Sequence, residues 1–177
     1  MPIKVYIATS FDGFIADEYG GIDWLNEFPS PSGSDGGFSK FMDSIDAVVM
    51  GRKTFEKVLS FGIPWPYKKK VFVLSNTLQK IDNNLVGKVE LIRGEPEAVI
   101  QKLNQDGFKK LYVDGGQTIQ SFLKKNFIDE MIISQAPLIL GRGIPLFQPG
   151  PKINLQLLSS TVLDNGLIQS HYKIVKK

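Results

Sequence analysis

The chain has 177 residues, of which 42% are hydrophobic and 22% charged, and its formal net charge is +3. These values are typical of a globular protein with one domain and a buried core. The absence of cysteine excludes disulfides, thiol catalysis and thiolate metal sites, and the single histidine excludes a multi-histidine metal site. We therefore expect no bound metal.

Charge and hydropathy patterns predict no nucleic-acid or membrane partner. The lysines form short scattered groups, whereas nucleic-acid binding requires basic residues concentrated on one face. No apolar run approaches the roughly 20 residues that a membrane helix needs. The opening segment alternates like a strand and does not resemble a signal peptide, so we expect a cytoplasmic protein.

Predicted strands and helices alternate along most of the chain. In chain order, the patterns predict a strand at 3–9, a helix at 38–45, a strand at 47–50, a helix at 52–59, strands at 71–74 and 89–92, a helix at 95–105, a strand at 111–113, a helix at 118–125 and a strand at 131–134. This alternation predicts a three-layer α/β fold, in which a mostly parallel central sheet has helices on both faces.

The C-terminal part differs from this pattern. Two predicted strands, 154–163 and 167–175, are separated by Asp164-Asn165-Gly166, and Asn-Gly is a strong hairpin signal. We expect the sheet to end in an antiparallel pair. No linker interrupts the chain, so residues 1–177 are assigned to a single domain.

The segment Gly51-Arg52-Lys53-Thr54 links a buried strand to a helix. The first amides of a helix have no intrahelical partner and favour an anion, and an arginine can hold phosphate bidentately. The segment does not fit the glycine-rich nucleotide-hydrolysis loop. A solvated first turn is the alternative interpretation.

Two further segments place polar groups at the ends of predicted parallel strands, where ligands bind in open α/β sheets. Asp114-Gly115-Gly116 leads into a helix, and Leu74-Ser75-Asn76 ends another strand. Paired glycines allow close approach of a ligand to the backbone, although they also form simple tight turns. Taken together, the three segments predict an extended dinucleotide.

Several motifs resemble the dihydrofolate reductase-like superfamily, and most closely its branch similar to the reductase domain of bifunctional riboflavin biosynthesis proteins. They are IATSFDGFIAD, IDWL, DAVVMGRKTFE, VFVLSN, LYVDGGQTIQSFL and ILGRGIPLF, in family order across nearly the whole chain. The resemblance implies the dihydrofolate reductase-like fold and an NADPH-dependent reductase.

The resemblance also implies a cofactor site. Arg52 matches the arginine that reads the adenosine 2′-phosphate, and Gly115 and Gly116 match paired glycines, often joined by a cis peptide, beside the pyrophosphate. The full set of implied cofactor residues is Ala8, Ile15, Ala16, Gly51, Arg52, Lys53, Thr54, Leu74, Ser75, Asn76, Arg93, Asp114, Gly115, Gly116, Gln117, Thr118 and Ile119. Ala8, Ile15 and Ala16 are expected at the nicotinamide end.

Three residues match catalytic or substrate-side positions. Asp35 aligns with the buried acid of dihydrofolate reductases, although SDGGFSKF is also an obvious helix-capping setting. Ser134 matches the hydroxyl residue that pairs with this acid. Trp24 matches a tryptophan near the substrate, or else it anchors a loop over residues 17–34 that would act as a lid.

We therefore expect hydride transfer from NADPH to a C=N or C=O of a small polar substrate, heterocyclic or ribose-derived. The alternatives are the 5-amino-6-(5-phosphoribosylamino)uracil reductase of riboflavin synthesis, for which Arg142 would bind the substrate phosphate, and a non-catalytic NADPH-binding module. The resemblance also implies a homodimer that pairs through the terminal hairpin.

Overall fold

Six parallel strands and a terminal antiparallel hairpin form one eight-stranded sheet in the computed structural model, which describes residues 1–176. The strands of this sheet are β1 (Ile3–Thr9), β3 (Ala47–Gly51), β4 (Lys70–Leu74), β5 (Val89–Ile92), β6 (Leu111–Asp114), β7 (Glu130–Gln135), β9 (Asn154–Val162) and β10 (Ile168–Val175). Two further strands, β2 (Phe14–Ala16) and β8 (Ile144–Pro145), form a small separate sheet.

The strand order is β5-β4-β3-β6-β1-β7-β10-β9, and β10 runs antiparallel to both of its neighbours. The predicted mostly parallel sheet with an antiparallel C-terminal hairpin is therefore confirmed. The assignment of residues 1–177 to one domain stays a prediction, with which the continuous sheet agrees.

Helices cover both faces of the sheet. α3 (Pro96–Gln105) and α4 (Gly116–Lys124) contribute Val99, Leu103, Ile119 and Phe122 to one core cluster. On the other face, α1 (Phe38–Asp43) and α2 (Arg52–Ser60) contribute Phe41 and Phe55. We call this second side the aromatic face, because Tyr6, Phe38, Trp65, Tyr67 and Tyr112 pack together there. Burial of these two clusters supplies the main driving force for folding.

The small β2–β8 sheet joins two loops that are distant in sequence. Phe14 pairs with Pro145 and Ala16 with Ile144. The carboxylate of Asp12 accepts hydrogen bonds from the backbone N–H groups of Leu140 (3.1 Å) and Gly141 (2.7 Å). Two motifs with no obvious connection in the sequence thus form one structural unit beside the ends of the parallel strands.

The segment 17–34 is attached to the terminal hairpin. Trp24, in a 3-10 turn at Asp23–Glu27, is buried against Ala136 and Leu167. Asp164 Oδ2 accepts a hydrogen bond from Ser30 Oγ at 2.8 Å, and Asn165 Nδ2 donates to the Phe28 carbonyl at 3.2 Å. In this structure the segment 17–34, the predicted lid, lies as a wall against the terminal hairpin.

No helix within residues 1–176 has the length and apolar character needed to cross a bilayer.

Candidate active site

The ends of neighbouring parallel strands bring the predicted cofactor segments together. Gly51 at the end of β3 is in register with Leu74 of β4, and Met50 is in register with Asp114 of β6. Leu74 is in turn in register with Ile92, the residue before Arg93. The three segments predicted to bind the cofactor are therefore adjacent along the carboxyl-terminal ends of the parallel strands. We call this side of the sheet the cofactor edge.

Helices α2 and α4 begin side by side at this edge, and their first turns are in contact. A Cβ on Gly115 would overlap the Thr54 side chain, and a Cβ on Gly51 would lie 2.8 Å from Thr118 Oγ1. Gly115 also has a φ of +88°, which favours glycine. The N-cap residues Gly51 and Gly115 have no side chain that could cap these helices, and although Asp114 accepts from the Gly115 N–H, the amides of the two first turns have no side-chain partner within residues 1–176 and can bind an anion.

The peptide bond between Gly115 and Gly116 is trans, as are all the other peptide bonds in residues 1–176. The cis peptide that the resemblance implied between Gly115 and Gly116 is therefore not present in this structure.

Ile15 extends the cofactor edge toward the small sheet. A Cβ on Gly116 would lie 2.7 Å from Ile15 Cδ1, so the glycine allows this side chain to lie against the start of α4. Ala16 is buried beside it in β2, and Gly143, directly before β8, approaches the Ala16 carbonyl so closely that a Cβ there would overlap it. Ala8 lies near the end of β1, in register with Ser134.

The cations of the predicted site lie at the exposed end of this edge. Arg52 is exposed at the start of α2, with its Nε 3.7 Å from Glu56 Oε1, a separation that gives a weak surface pair. Arg93 Nη2 donates to the Leu78 carbonyl at 3.4 Å, which places its guanidinium beside the turn that follows β4. Lys53, next to Arg52, and Asn76, two residues after the end of β4, are also exposed.

Other predicted cofactor residues serve the protein's own structure. Ser75 is buried, and its Oγ accepts hydrogen bonds from the N–H groups of Thr77 (3.2 Å) and Leu78 (3.0 Å). Ile119 is fully buried in the core, whereas Gln117 is exposed on the first turn of α4. Ser75 therefore shapes the turn, and Ile119 can contribute only its backbone.

Asp114 is an acid at the cofactor edge with its side chain on the aromatic face. Strand alternation places it on the same side as Tyr112, and its Oδ1 accepts a hydrogen bond from the Gly115 N–H at 2.8 Å. Burial raises the pKa of the Asp114 carboxyl to about 6, since the hydrogen bonds that favour its ionised form offset the desolvation only in part. From the sequence, Asp114 is expected to be a cofactor residue only.

A polar network connects the strands beside Asp114. Gln169 Nε2 lies within hydrogen-bond distance of Ser134 Oγ (3.0 Å), Tyr6 Oη (2.9 Å) and the Gly36 carbonyl (3.0 Å), and its two N–H groups can serve two of these acceptors at a time. The Tyr6 hydroxyl itself donates to the Gly36 carbonyl at 2.6 Å. Burial raises the pKa of Tyr6, so its phenol stays a neutral donor at neutral pH.

The sequence also matches a known family along most of its length. Residues 3–169 fit the family model for the RibD C-terminal domain. The uncharacterized protein YwjB of Bacillus subtilis (strain 168) is 34% identical over 170 residues, which are 95% of this chain and 95% of YwjB.

The chain belongs to the RibD C-terminal domain family.

Solved structures agree with this membership. A crystal structure from Shewanella sp. PV-4, provisionally assigned as a riboflavin biosynthesis protein, superposes with a TM-score of 0.95 at 45% identity, covering 99% of this chain and 100% of that one. Dihydrofolate reductase from Enterococcus faecalis, solved with NADP(H), superposes with a TM-score of 0.70 at 14% identity, covering 99% and 97% of the two chains. The second likeness shows the dihydrofolate reductase-like fold alone.

Asp35 lies at the surface of this RibD C-terminal domain, just before α1. Its Oδ2 accepts a hydrogen bond from the Ser39 N–H at 2.8 Å, and its Oδ1 accepts one from the Gly37 N–H at 2.9 Å. Hydrogen bonds from Ser39 and Gly37 lower the pKa of the Asp35 carboxyl, so the group is ionised at neutral pH. The capping role is thus observed, and a catalytic role for Asp35 stays a prediction.

Ser134 and Trp24 occupy different parts of this region. Ser134 is buried beside Ala8, and its connection to the α1 region runs through Gln169 and Gly36. Trp24 is buried, and its indole N–H has no hydrogen-bond partner among residues 1–176. A buried N–H without a partner is uncommon in folded proteins, and a ligand group is one way to satisfy it. The catalytic roles of Ser134 and Trp24 also stay predictions.

From the sequence, Trp65-Pro66-Tyr67 could wall a substrate pocket or cover a dimer seam, and in the structure Trp65 and Tyr67 form a wall on the aromatic face. Their ring centroids are 5.3 Å apart, and Trp65 also packs edge-on against Phe55 of α2. Burial raises the pKa of Tyr67, and the nearby charge of Asp114 adds to this effect. The Trp-Pro-Tyr sequence was a signal for an aromatic wall, but only the fold shows that the wall faces Asp114.

An apolar cavity of about 280 Å³ lies away from the cofactor edge, between α4 and the terminal hairpin. Its lining includes Leu123, Met131, Phe147, Ile153 and Leu155. It lacks the acid and the hydroxyl groups described above, so we do not assign it to the reaction.

Proposed function

We propose that this protein is an NADPH-dependent reductase that transfers hydride to a C=N or C=O bond of a small polar, heterocyclic or ribose-derived substrate. Family membership supports a reductase of the riboflavin-pathway type. To this we add the cofactor and the kind of substrate for this chain. The observation that carries it is the contact between the two uncapped helix starts at Gly51 and Gly115.

The residues at this contact fit an extended, negatively charged dinucleotide. Amides at the starts of α2 and α4 would hold the pyrophosphate, with the hydroxyls of Thr54 and Thr118 between them. Arg52 is exposed and only weakly paired, so its guanidinium is available to grip a 2′-phosphate bidentately. Arg93 lies one strand farther along the same edge.

NADPH would supply the hydride, and the protein's residues would orient the reactants and manage the proton. Ile15, against the start of α4, and Ala8, near the end of β1, would form the floor beneath the nicotinamide. The 3-10 turn that carries the buried Trp24 would exclude water from one side.

Asp114 would be the proton donor, because it lies at the cofactor edge, in register with Met50 of β3, and carries a raised pKa. Its pKa of about 6 keeps part of its population protonated near neutral pH, whereas hydrogen bonds lower the pKa of Asp35. Asp114 also lies on the aromatic face, beside Tyr67 and Tyr112. Asp35, or a water molecule, is the alternative proton source.

Two alternative functions can be distinguished from this one by experiment. A 5-amino-6-(5-phosphoribosylamino)uracil reductase would reduce that phosphorylated pyrimidine, with Arg142 on the phosphate. A binding module would bind NADPH and never oxidise it in the presence of any metabolite. Titration of the intrinsic tryptophan fluorescence with NADPH, followed by absorbance at 340 nm with a metabolite panel, tests all three.

The terminal hairpin supports a homodimer as part of this proposal. Every residue of β9 is exposed, and β9 is the edge strand of the sheet. Leu155 and Leu157 of β9 pair with Ile174 and Tyr172 of β10, which places the two leucines on the side of the sheet that α4 covers. An exposed apolar edge of this kind is a typical interface between identical chains. A cytoplasmic location stays our prediction.

A further inference from the structure

We infer that a second copy of this chain stacks on the exposed apolar face of the terminal hairpin, and that this association holds the segment 17–34 against the hairpin's other side. The inference rests on the proposed function, of which the homodimer is part. It names the surface that the two copies share, their arrangement and the consequence for one wall of the candidate site.

The terminal hairpin has a polar face and an apolar face. On the side of the aromatic face, the register of its strands places polar residues such as Gln156, Thr161, Gln169 and His171. The side toward α4, which we call the hairpin apolar face, carries two serines and the residues Leu155, Leu157, Val162, Ile168, Tyr172 and Ile174. This alternation is typical of an antiparallel pair whose apolar face is packed against another layer.

The chain itself covers little of the hairpin apolar face. Ile174 is buried, whereas Leu155, Leu157, Val162 and Ile168 are between 42% and 71% exposed. The apolar cavity of about 280 Å³ borders the same face, since Leu155 also lines that cavity. Contiguous exposed apolar surfaces mark interaction sites in soluble proteins, so we expect another molecule to cover this face.

The charge pattern favours a second copy as the covering molecule. The hairpin apolar face contains no lysine, arginine, aspartate or glutamate, so two identical faces meet without like-charge repulsion and without desolvating an ion. Opposite charges lie just beyond the two ends of β9, at Lys152 and Asp164, equally far from the central residue Leu158. A two-fold axis at Leu158 makes the two β9 strands antiparallel and sets Lys152 of each copy opposite Asp164 of the other. The surface is therefore complementary to itself.

The edge of β9 favours stacking of the two faces over extension of the sheet. The register between β9 and β10 shifts between His171 and Tyr172, which leaves Leu158 as an extra residue in the middle of the edge strand. Such a bulge interrupts the row of outward N–H and C=O groups that another strand would need. Stacking uses the side chains of the hairpin apolar face and needs no continuous row.

The other side of the hairpin holds the segment 17–34. Trp24 is buried against Leu167, and Asp164 at the tip accepts a hydrogen bond from Ser30. The hairpin therefore lies between this segment and the second copy. Because a two-stranded extension has little stability of its own, covering its free face opposes its opening and the detachment of the segment that it holds.

Two variants at neighbouring residues test the inference. Leu157→Glu and Gln156→Glu add the same charge to opposite faces of β9. In light scattering at micromolar concentration, Leu157→Glu should be monomeric, and Gln156→Glu should be dimeric like the parent. Amide hydrogen exchange of residues 23–34 should be about tenfold faster in Leu157→Glu than in the two dimers, with β3 unchanged. Dilution of the parent below its dissociation constant should give the same acceleration, which separates association from any local effect of the substitution.

Cross-linking tests the arrangement of the two copies. A carbodiimide joins a lysine to a neighbouring carboxylate, so a mixture of isotopically labelled and unlabelled protein should yield Lys152–Asp164 peptides that contain both isotopes. Peptides of a single isotope composition, or no such peptides, would overturn the arrangement. A monomeric parent, equal dissociation of both variants, or unchanged exchange at residues 23–34 on dissociation would overturn the inference. Failure of NADPH to bind in a parallel fluorescence titration would refute the reductase instead, and the mass and exchange measurements would still decide the interface.

Discussion

The side chain of Thr54 occupies the space that a Cβ on Gly115 would need. This relationship joins the start of α2 to the start of α4 and brings two anion-binding helix ends together. Close packing against Thr54 therefore favours glycine at position 115, independently of any ligand that binds there. Such packing preorganises the site before a cofactor arrives.

Gly115→Ala should lower the free energy of unfolding by more than Gly13→Ala, a control at a glycine with nearly the same φ. Gly13 has a φ of +87° and nothing near its missing Cβ, so Gly13→Ala adds only backbone strain of about 1–2 kcal/mol. Gly115→Ala adds the collision with Thr54 and should cost about 1–3 kcal/mol more. Urea unfolding of both variants measures the difference, and equal losses would contradict the packing described above.

Asp114→Asn should stabilise the protein at high pH. Because the folded-state pKa is raised from 3.8 to about 6, the folded protein binds the proton more tightly, and the associated stability, present below about pH 4, is lost as the pH rises through 6. The loss amounts to at most about 3 kcal/mol. Thermal unfolding should therefore show a higher Tm for Asp114→Asn than for the parent at pH 8, with the difference vanishing near pH 4. A difference that does not depend on pH would show that Asp114 is not a buried acid.

The same acid should appear in the kinetics once a substrate is known. If Asp114 donates the proton, kcat/KM should fall as the pH rises through about 6, because only the protonated carboxyl can act. Asp114→Asn should lower kcat/KM about 10²-fold or more and abolish this pH dependence. An unchanged profile in Asp114→Asn, together with its loss in Asp35→Asn, would move the role to Asp35.

Asp164→Ala should loosen the wall formed by the segment 17–34. Asp164 is the common acceptor for Ser30 and Ser32 at the tip of the hairpin, so its removal leaves the stretch around Ser32 without its hydrogen bonds to the hairpin, while Trp24 stays packed. Hydrogen exchange should accelerate at the Ser32 and Ser34 amides, whereas β3 stays protected. Asp106→Ala, another exposed acid, is the control. Unchanged exchange at Ser32 would show that Asp164 does not hold the wall.

Leu157→Glu should shift the protein toward monomer. Leu157 is 55% exposed on the edge strand, and a charge there opposes burial against a second copy. Val86→Glu, at a residue 71% exposed on a loop, should leave the mass unchanged. Light scattering after size-exclusion chromatography at micromolar concentration measures both masses. A monomeric parent protein would refute the homodimer.

The architecture was predictable because its signals are local. Apolar runs such as Val48-Val49-Met50 mark buried parallel strands, and Asn165-Gly166 marks the hairpin. The β2–β8 sheet was missed because its strands have only three and two residues and pair across more than a hundred positions. Periodicity cannot detect elements this short.

Asp35 and Asp114 likewise differ in whether their surroundings come from residues near in sequence or from distant ones. The capping role of Asp35 was predictable from the neighbouring glycines and Ser39, since all its partners are near in sequence. The environment of Asp114 depends on Tyr67, which a separate loop brings to the aromatic face. Its position next to Gly115 in the sequence therefore indicated the cofactor alone.

Discrimination between NADPH and NADH probes the role of Arg52 in cofactor binding, because Arg52 is assigned to the 2′-phosphate that only NADPH carries. Fluorescence titration of the parent protein should show NADPH binding at least about tenfold more tightly than NADH, and Arg52→Ala should remove most of that preference while leaving NADH binding nearly unchanged. Arg142→Ala, at an exposed arginine outside the proposed cofactor site, should behave like the parent. Equal affinity of the parent protein for the two cofactors, or binding of neither, would contradict the account.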